Sequence, residues 1–134
     1  PSPYSSGVFN KIVKDNPDIK WAAVIETNRG CPFSCTFCDW GSLTYSKVRQ
    51  FSLERIEGEV DWIASNPVAY LNCADANFGI FKERDLSIAR AIGSIKERYG
   101  YPLNVGISHN KNQTKERSKC AYYGDDEREL NKSF

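Results

Sequence analysis

The sequence predicts a parallel α/β fold in the form of an incomplete (β/α) barrel, on three observations. Apolar, β-rich runs alternate with stretches of helical period. The helical stretches have the length of βα crossovers, roughly 10 to 15 residues, which favours parallel strands joined by right-handed connections. The order β, loop, α, β, loop, α, β also leaves an open sheet with a raw edge, as in a piece of a larger barrel.

The first strand is read from Ile19 to Thr27, IKWAAVIET, a run apolar enough for a strand covered on both faces. Ser52 is placed to cap a helix in which Leu53, Ile56, Val60 and Ile63 recur at helical spacing, ending near Ser65 to Pro67. Val68 to Ala74, VAYLNCA, reads as a second buried strand. Asp85 is the expected N-cap of the next helix, with Ile88, Ile92, Ile95 and Tyr99 on one face and Gly100 and Pro102 as its stop. Leu103, Val105 and Ile107 alternate as a third strand.

A chain of 134 residues suffices for one ordinary domain. With 18 Lys and Arg against 17 Asp and Glu, it carries no global field that would attract nucleic acid or an acidic membrane. No stretch approaches the roughly 20 apolar residues of a membrane span. The opening PSPYSSGVFNK lacks the apolar core of a signal peptide, so a cytoplasmic location is expected. Residues 1–18 are read as a linker segment preceding the core, 19–110 as the first βα units, and 111–134 as a charged, poorly ordered tail.

The segment CPFSCTFCDWG, residues 31–41, sets Cys31, Cys35 and Cys38 directly after the first strand. A disulfide would leave one of the three thiols over and is at odds with a cytoplasmic chain. A structural zinc site wants four ligands, for which Cys73, His109 or Cys120 is available as the fourth. An iron-sulfur cubane fits better, because three thiolates can hold three corners and leave the fourth iron open. Gly30 and Pro32 suit a backbone that bends sharply around such a group. Parallel sheets gather their chemistry on the loops after strand C-termini. The cysteine loop and ADANFG, Ala74 to Gly79, should therefore share a rim. Cys73 reads as a small buried strand residue, and His109 as a structural or exposed residue near that rim. Asn28 and Arg29 either orient the loop, meet a substrate carboxylate, or form a solvated turn. The cations from Lys82 to Arg98 read as a solvated helix face.

Together these residues resemble the radical S-adenosylmethionine (SAM) superfamily, whose signature is CxxxCxxC after the first strand of a partial, TIM-barrel-like (β/α) barrel. An aromatic residue precedes the third cysteine in that signature, and Cys31, Cys35, Phe37 and Cys38 match it. The resemblance implies a [4Fe-4S] cluster held by Cys31, Cys35 and Cys38, with SAM chelated to the open iron. One electron from the cluster, supplied by a donor such as flavodoxin or ferredoxin, then cleaves SAM to a 5′-deoxyadenosyl radical that attacks an unknown substrate. It also implies that Phe37 lies near the SAM adenine; a packing aromatic is the alternative. Where the family often has a Gly-Gly-Glu-like segment for the SAM ammonium, this chain has Ala74, Asp75, Ala76 and Asn77. Asp75 would offer its carboxylate and its neighbours their carbonyls; the alternative is an ordinary turn before a helix.

PSPY, Pro1 to Tyr4, with Gly7 and Phe9, is similar to the segment that joins a cobalamin-binding domain to the catalytic core in the cobalamin-dependent branch. CDWG and ADANFGIF follow at suitable distances. The resemblance covers residues 1–110 and implies cobalamin bound by a domain outside this chain. The family barrel continues through further βα units that contact SAM, so turnover by this chain alone is not expected. The competing class is a non-catalytic iron-sulfur or zinc-binding module. No catalytic side chain is assigned.

Overall fold

The computed structural model describes residues 2–38 and 47–109, the last of these, His109, through its backbone only. The tail at 111–134, Cys120 and the Asp39 to Gly41 end of CDWG lie outside the described residues. Among the described residues eight elements follow in order: α1 (Asn10–Asp15), β1 (Ala22–Ile25), β2 (Asn28–Arg29), β3 (Arg49–Gln50), α2 (Leu53–Ser65), β4 (Tyr70–Phe78), α3 (Lys82–Tyr99) and β5 (Asn104–His109). Strands β1, β4 and β5 form one sheet in the order β1-β4-β5, and both pairings are parallel. The predicted alternation and parallel sheet are therefore present, as a three-stranded α/β unit.

Helix α2 starts where its sequence asks. Ser52 is extended and its hydroxyl accepts from the Arg55 amide at 3.4 Å, while Ile56, Val60 and Ile63 face inward. Helix α3 starts earlier than expected. Its first residue is Lys82, so Asp85 lies inside the first turn instead of at the cap. The buried carboxylate reaches back to accept the amides of Gly79 at 2.8 Å and Phe81 at 3.0 Å. It thus satisfies donors that precede the helix, which is cap chemistry delivered from within. At the other end Gly100 takes the left-handed conformation, φ 74°, and its amide donates to the Lys96 carbonyl at 2.7 Å.

The core joins Ala23 and Ile25 of β1 to Ile56, Val60 and Ile63 of α2. Val68 and the β4 residues Leu71, Cys73 and Phe78 continue it, and Ile88 and Ile92 of α3 complete it. Fully burying an aliphatic side chain of this kind contributes about 1.5–3 kcal/mol. The expectation that the first strand is covered on both faces needs correction. Burial along β1 alternates, and Val24 is 55% exposed on the face away from Ala23 and Ile25. The strand order explains this: both crossovers step the same way across the sheet, so with a common hand α2 and α3 lie side by side on one face.

The segment read as a linker is tied to this body. The Tyr4 ring lies 5.5 Å from Phe9 and 5.3 Å from Trp62, whose indole nitrogen donates to Asn10 Oδ1 at 2.7 Å. The Tyr4 hydroxyl donates to the Val24 carbonyl at 2.8 Å and accepts from the Val24 amide at 3.0 Å, on the free edge of β1. Among the described residues no helix is long and apolar enough to cross a membrane.

Candidate functional site

Beyond Ile25 the chain leaves the main sheet and forms a short second ladder. Asn28 pairs with Gln50 and Arg29 with Arg49, antiparallel, and the Phe51 amide donates to the Thr27 carbonyl at 3.0 Å. These rungs close the base of the segment that carries the three cysteines. Gly30, at φ 114°, turns the chain out of β2 in a conformation that a side chain would oppose. The Cys38 amide donates to the Cys35 carbonyl at 3.1 Å, so the second and third cysteines flank one turn. Cys31 is buried, Cys35 and Cys38 are half-buried, and all three are free thiols. Phe37 lies 80% exposed beside them, outside the apolar core.

Strand β4 runs past its expected end at Ala74 as far as Phe78. Between the pairs Cys73↔Ile107 and Phe78↔His109, β4 advances five residues while β5 advances two. Ala74, Asp75, Ala76 and Asn77 thus form an irregularity at the C-terminal end of the sheet, the position at which bulges re-aim backbone and side chains.

Asp75 ties this irregularity to the cysteine side. Its buried Oδ1 accepts the Thr27 amide at 2.7 Å and the Asn28 amide at 3.2 Å. Oδ2 accepts the Asn28 side-chain amide at 2.7 Å and the Thr27 hydroxyl. Four donors use the acceptor capacity of a carboxylate. Because Asn28 gives its NH2 group to Asp75, its Oδ1 is left as a spare acceptor. That buried oxygen has no partner among the described residues.

Arg84 reinforces the same turn and corrects the reading of α3 as a uniformly solvated cationic face. Its side chain is 13% exposed and its guanidinium donates to the carbonyls of Thr27 at 2.6 Å and Phe51 at 2.8 Å. It also pairs with Asp85 at 3.2 Å. Burial still holds the Asp85 carboxyl above its usual range, against the lowering effect of the Phe81 and Gly79 amides and of Arg84.

Asn77 reaches the cysteine loop directly: its side-chain nitrogen lies 3.0 Å from Cys31 Sγ, both residues being buried. Cys73 belongs to the core, where burial, helped by the negative charge of Asp75, pushes its thiol up to about 12. The backbone of His109 stands opposite Phe78 at the rim. Arg29 pairs with Glu26 and lies 5.9 Å from the Phe51 ring. Among the described residues no three His, Cys, Asp or Glu side chains converge on a single point that would hold one metal ion.

Cys31, Asp75, Asn77 and Asn28 were accessible to sequence reasoning. Thr27 and Arg84 were missed. A polar Thr ending an apolar strand was the available signal for the first; for Arg84, one cation among several on a helix, there was none.

A parallel α/β unit with a three-thiol loop and a polar, buried strand-end beside it is compatible with a protein of the radical SAM type. Comparison with known proteins agrees. The chain is 46% identical over 114 residues, 84% of its length, to 2-(S-pantetheinyl)-carbapenam-3-carboxylate methyltransferase of Streptantibioticus cattleyicolor. It is 45% identical over 114 residues to the cobalamin-dependent radical SAM methyltransferase TokK of Streptomyces tokunonensis. No family model matches. The chain belongs to the radical SAM superfamily, in its cobalamin-dependent branch. It spans 17% of the length of each of these relatives.

Proposed function

We propose that the chain is the cluster- and SAM-binding portion of a cobalamin-dependent radical SAM methyltransferase. Cobalamin would be bound elsewhere in the whole protein. The observation that carries the reading is the joining of the cysteine loop to the irregular end of β4, through Asp75 on one side and Asn77 on the other.

The residues fit such a group. Three free thiols leave one corner of a cubane without a protein ligand, and cubane ligands bind different irons, so they need not converge on one point. The unpartnered Asn28 Oδ1 and the irregular backbone from Ala74 to Asn77 offer acceptors beside the loop, and an ammonium has three donors and no acceptor. In this reading Cys31, Cys35 and Cys38 would hold the [4Fe-4S] cluster, and the exposed Phe37 ring would lie near the SAM adenine. Ala74, Asp75, Ala76 and Asn77 line the ammonium. Asp75 can take that ligand only by releasing an internal donor, so its first task is to anchor the Thr27–Asn28 turn.

When bound, the cluster and SAM supply one-electron cleavage of a carbon–sulfur bond, and the protein supplies position and exclusion of water. Here Asp75 and Arg84 fix the base of the loop, Gly30 sets its exit, and the core keeps the rim from shifting. The required electron comes from an external one-electron donor of the flavodoxin or ferredoxin type. A cytoplasmic setting suits an oxygen-sensitive cluster.

Anaerobic reconstitution with iron and sulfide tests the reading. A brown, oxygen-sensitive species whose electron paramagnetic resonance signal changes on adding SAM is the expected result. A colourless chain holding zinc tightly would establish the non-catalytic module instead.

A further inference from the structure

We infer that Asn77 is a positioning residue for the cluster: its side-chain NH2 donates to the sulfur of Cys31 and raises the reduction potential of the group that Cys31 holds. The inference rests on the cluster reading above and goes beyond it, because it gives the Asn77 side-chain nitrogen a task toward a ligand sulfur, in addition to the place of Asn77 beside the SAM ammonium.

The geometry is specific. Asn77 Nδ2 stands 3.0 Å from Cys31 Sγ, with Asn77 2% and Cys31 8% exposed. A metal-bound thiolate has no proton to give, so the amide must present its donor to it. Asn77 is held for this by its position: it lies on β4, in the five-residue advance between the pairs that Cys73 and Phe78 make with β5. Cys31 is fixed from the other side, two residues after Arg29 in the β2–β3 ladder and one after the turn at Gly30. Neither partner needs to reorganise to make the contact.

A hydrogen bond to a cluster sulfur stabilises negative charge there. The reduced cluster carries one more electron than the oxidised one, so the stabilisation is greater after reduction and the potential rises. Burial strengthens the effect, since the site is shielded from water. Cys31 is the most buried of the three loop cysteines, so Asn77 acts where a single hydrogen bond counts for most.

The test compares the unaltered chain with Asn77→Leu, which keeps the volume and removes the donor, and Asn77→Asp, which replaces the donor with a negative acceptor. Each is reconstituted anaerobically, its iron and sulfide are counted, and its midpoint potential is measured by a resonance-monitored redox titration. The expected result is an unchanged iron count with a lower potential in Asn77→Leu and a still lower one in Asn77→Asp. Full iron with unchanged potentials overturns the inference while leaving the cluster reading intact. If the variants fail to hold iron, the unaltered chain labelled with 15N-asparagine decides. Nuclear coupling of an asparagine amide to its reduced cluster sustains the role, since Asn28 gives its own amide to Asp75, and absence of coupling overturns it. An unaltered chain that builds no iron-sulfur species at all refutes the cluster reading, and the role of Asn77 with it.

Discussion

The body of the sheet and its C-terminal rim both exclude water, but they bury opposite kinds of residue. In the body the buried set is Ala23, Ile25, Leu71 and Cys73 on the strands, facing Ile56, Val60, Ile63, Ile88 and Ile92 on the helices. At the rim it is Thr27, Asn28, Asp75, Asn77 and Asp85. Apolar burial is non-directional and tolerates repacking. Polar burial is favourable only when each donor meets its acceptor, so it fixes positions as well as excluding water. The difference teaches that stability and geometry have been separated along the strands: the body holds the fold together, and the rim holds a loop in place. Exceptions run both ways: Glu59, a buried carboxylate on α2 paired with Arg55 at 2.8 Å, and Phe78, a buried aromatic at the end of β4.

The largest expected effect strikes the loop alone. Replacing Cys31, Cys35 or Cys38 with Ala should abolish the reconstituted cluster in each case while Cys73→Ala and Cys120→Ala retain their iron. Equal iron loss on changing Cys120 would show that the ligand assignment is wrong.

Next comes the joint between rim and loop. Asp75→Ala leaves the amides of Thr27 and Asn28 buried without acceptors, at about 1–3 kcal/mol for each. Urea unfolding should show that loss. In the whole protein the variant should bind SAM more weakly while still assembling the cluster, and unchanged SAM affinity would remove Asp75 from the site.

The body should respond the other way. Ile63→Ala opens a cavity at a side chain with no exposure, costing about 2–5 kcal/mol of stability. The iron count of the folded fraction should not change. A variant that stayed folded yet lost its cluster would erase the division between body and rim.

The smallest effect is electrostatic. Because burial raises the Asp85 carboxyl in the folded chain, that chain binds the proton more readily than the unfolded one. The contribution of this group to stability is therefore complete at low pH. It is lost as pH rises through the window between the ordinary carboxyl value and the raised one. Asp85→Asn should flatten that part of the profile, measured as unfolding midpoints across the carboxylate range. A slope identical in both proteins would show that Asp85 does not titrate differently on folding.

The body was far more legible in the sequence than the rim. Periodicity located Ile56, Val60 and Ile63 on α2 and Ile88 and Ile92 on α3, because a buried stripe repeats and a repeat can be read. The CxxxCxxC spacing revealed the loop for the same reason. The two rungs of the β2–β3 ladder are too short to carry a period, so nothing announced that Arg49 and Gln50 return to Asn28 and Arg29. Asp85 was read as a cap because its composition suits one, yet its amide partners precede the helix by a route that only the folded chain reveals. The burial of Arg84 is set by two carbonyls, of Thr27 and Phe51, that are distant in sequence.

The hydroxyl of Tyr4 presents to Val24 what a neighbouring strand would present: an acceptor for its amide and a donor for its carbonyl. A single side chain thus occupies the rung where another strand would begin to pair. Among the described residues the sheet becomes a one-ended template, sealed beside β1 and open beside β5. Any strand that joins, whether from the same polypeptide or from a second molecule, is directed to the β5 side. Growth of the sheet thereby acquires a direction, and the segment that seals the other side is made before β1, β4 and β5.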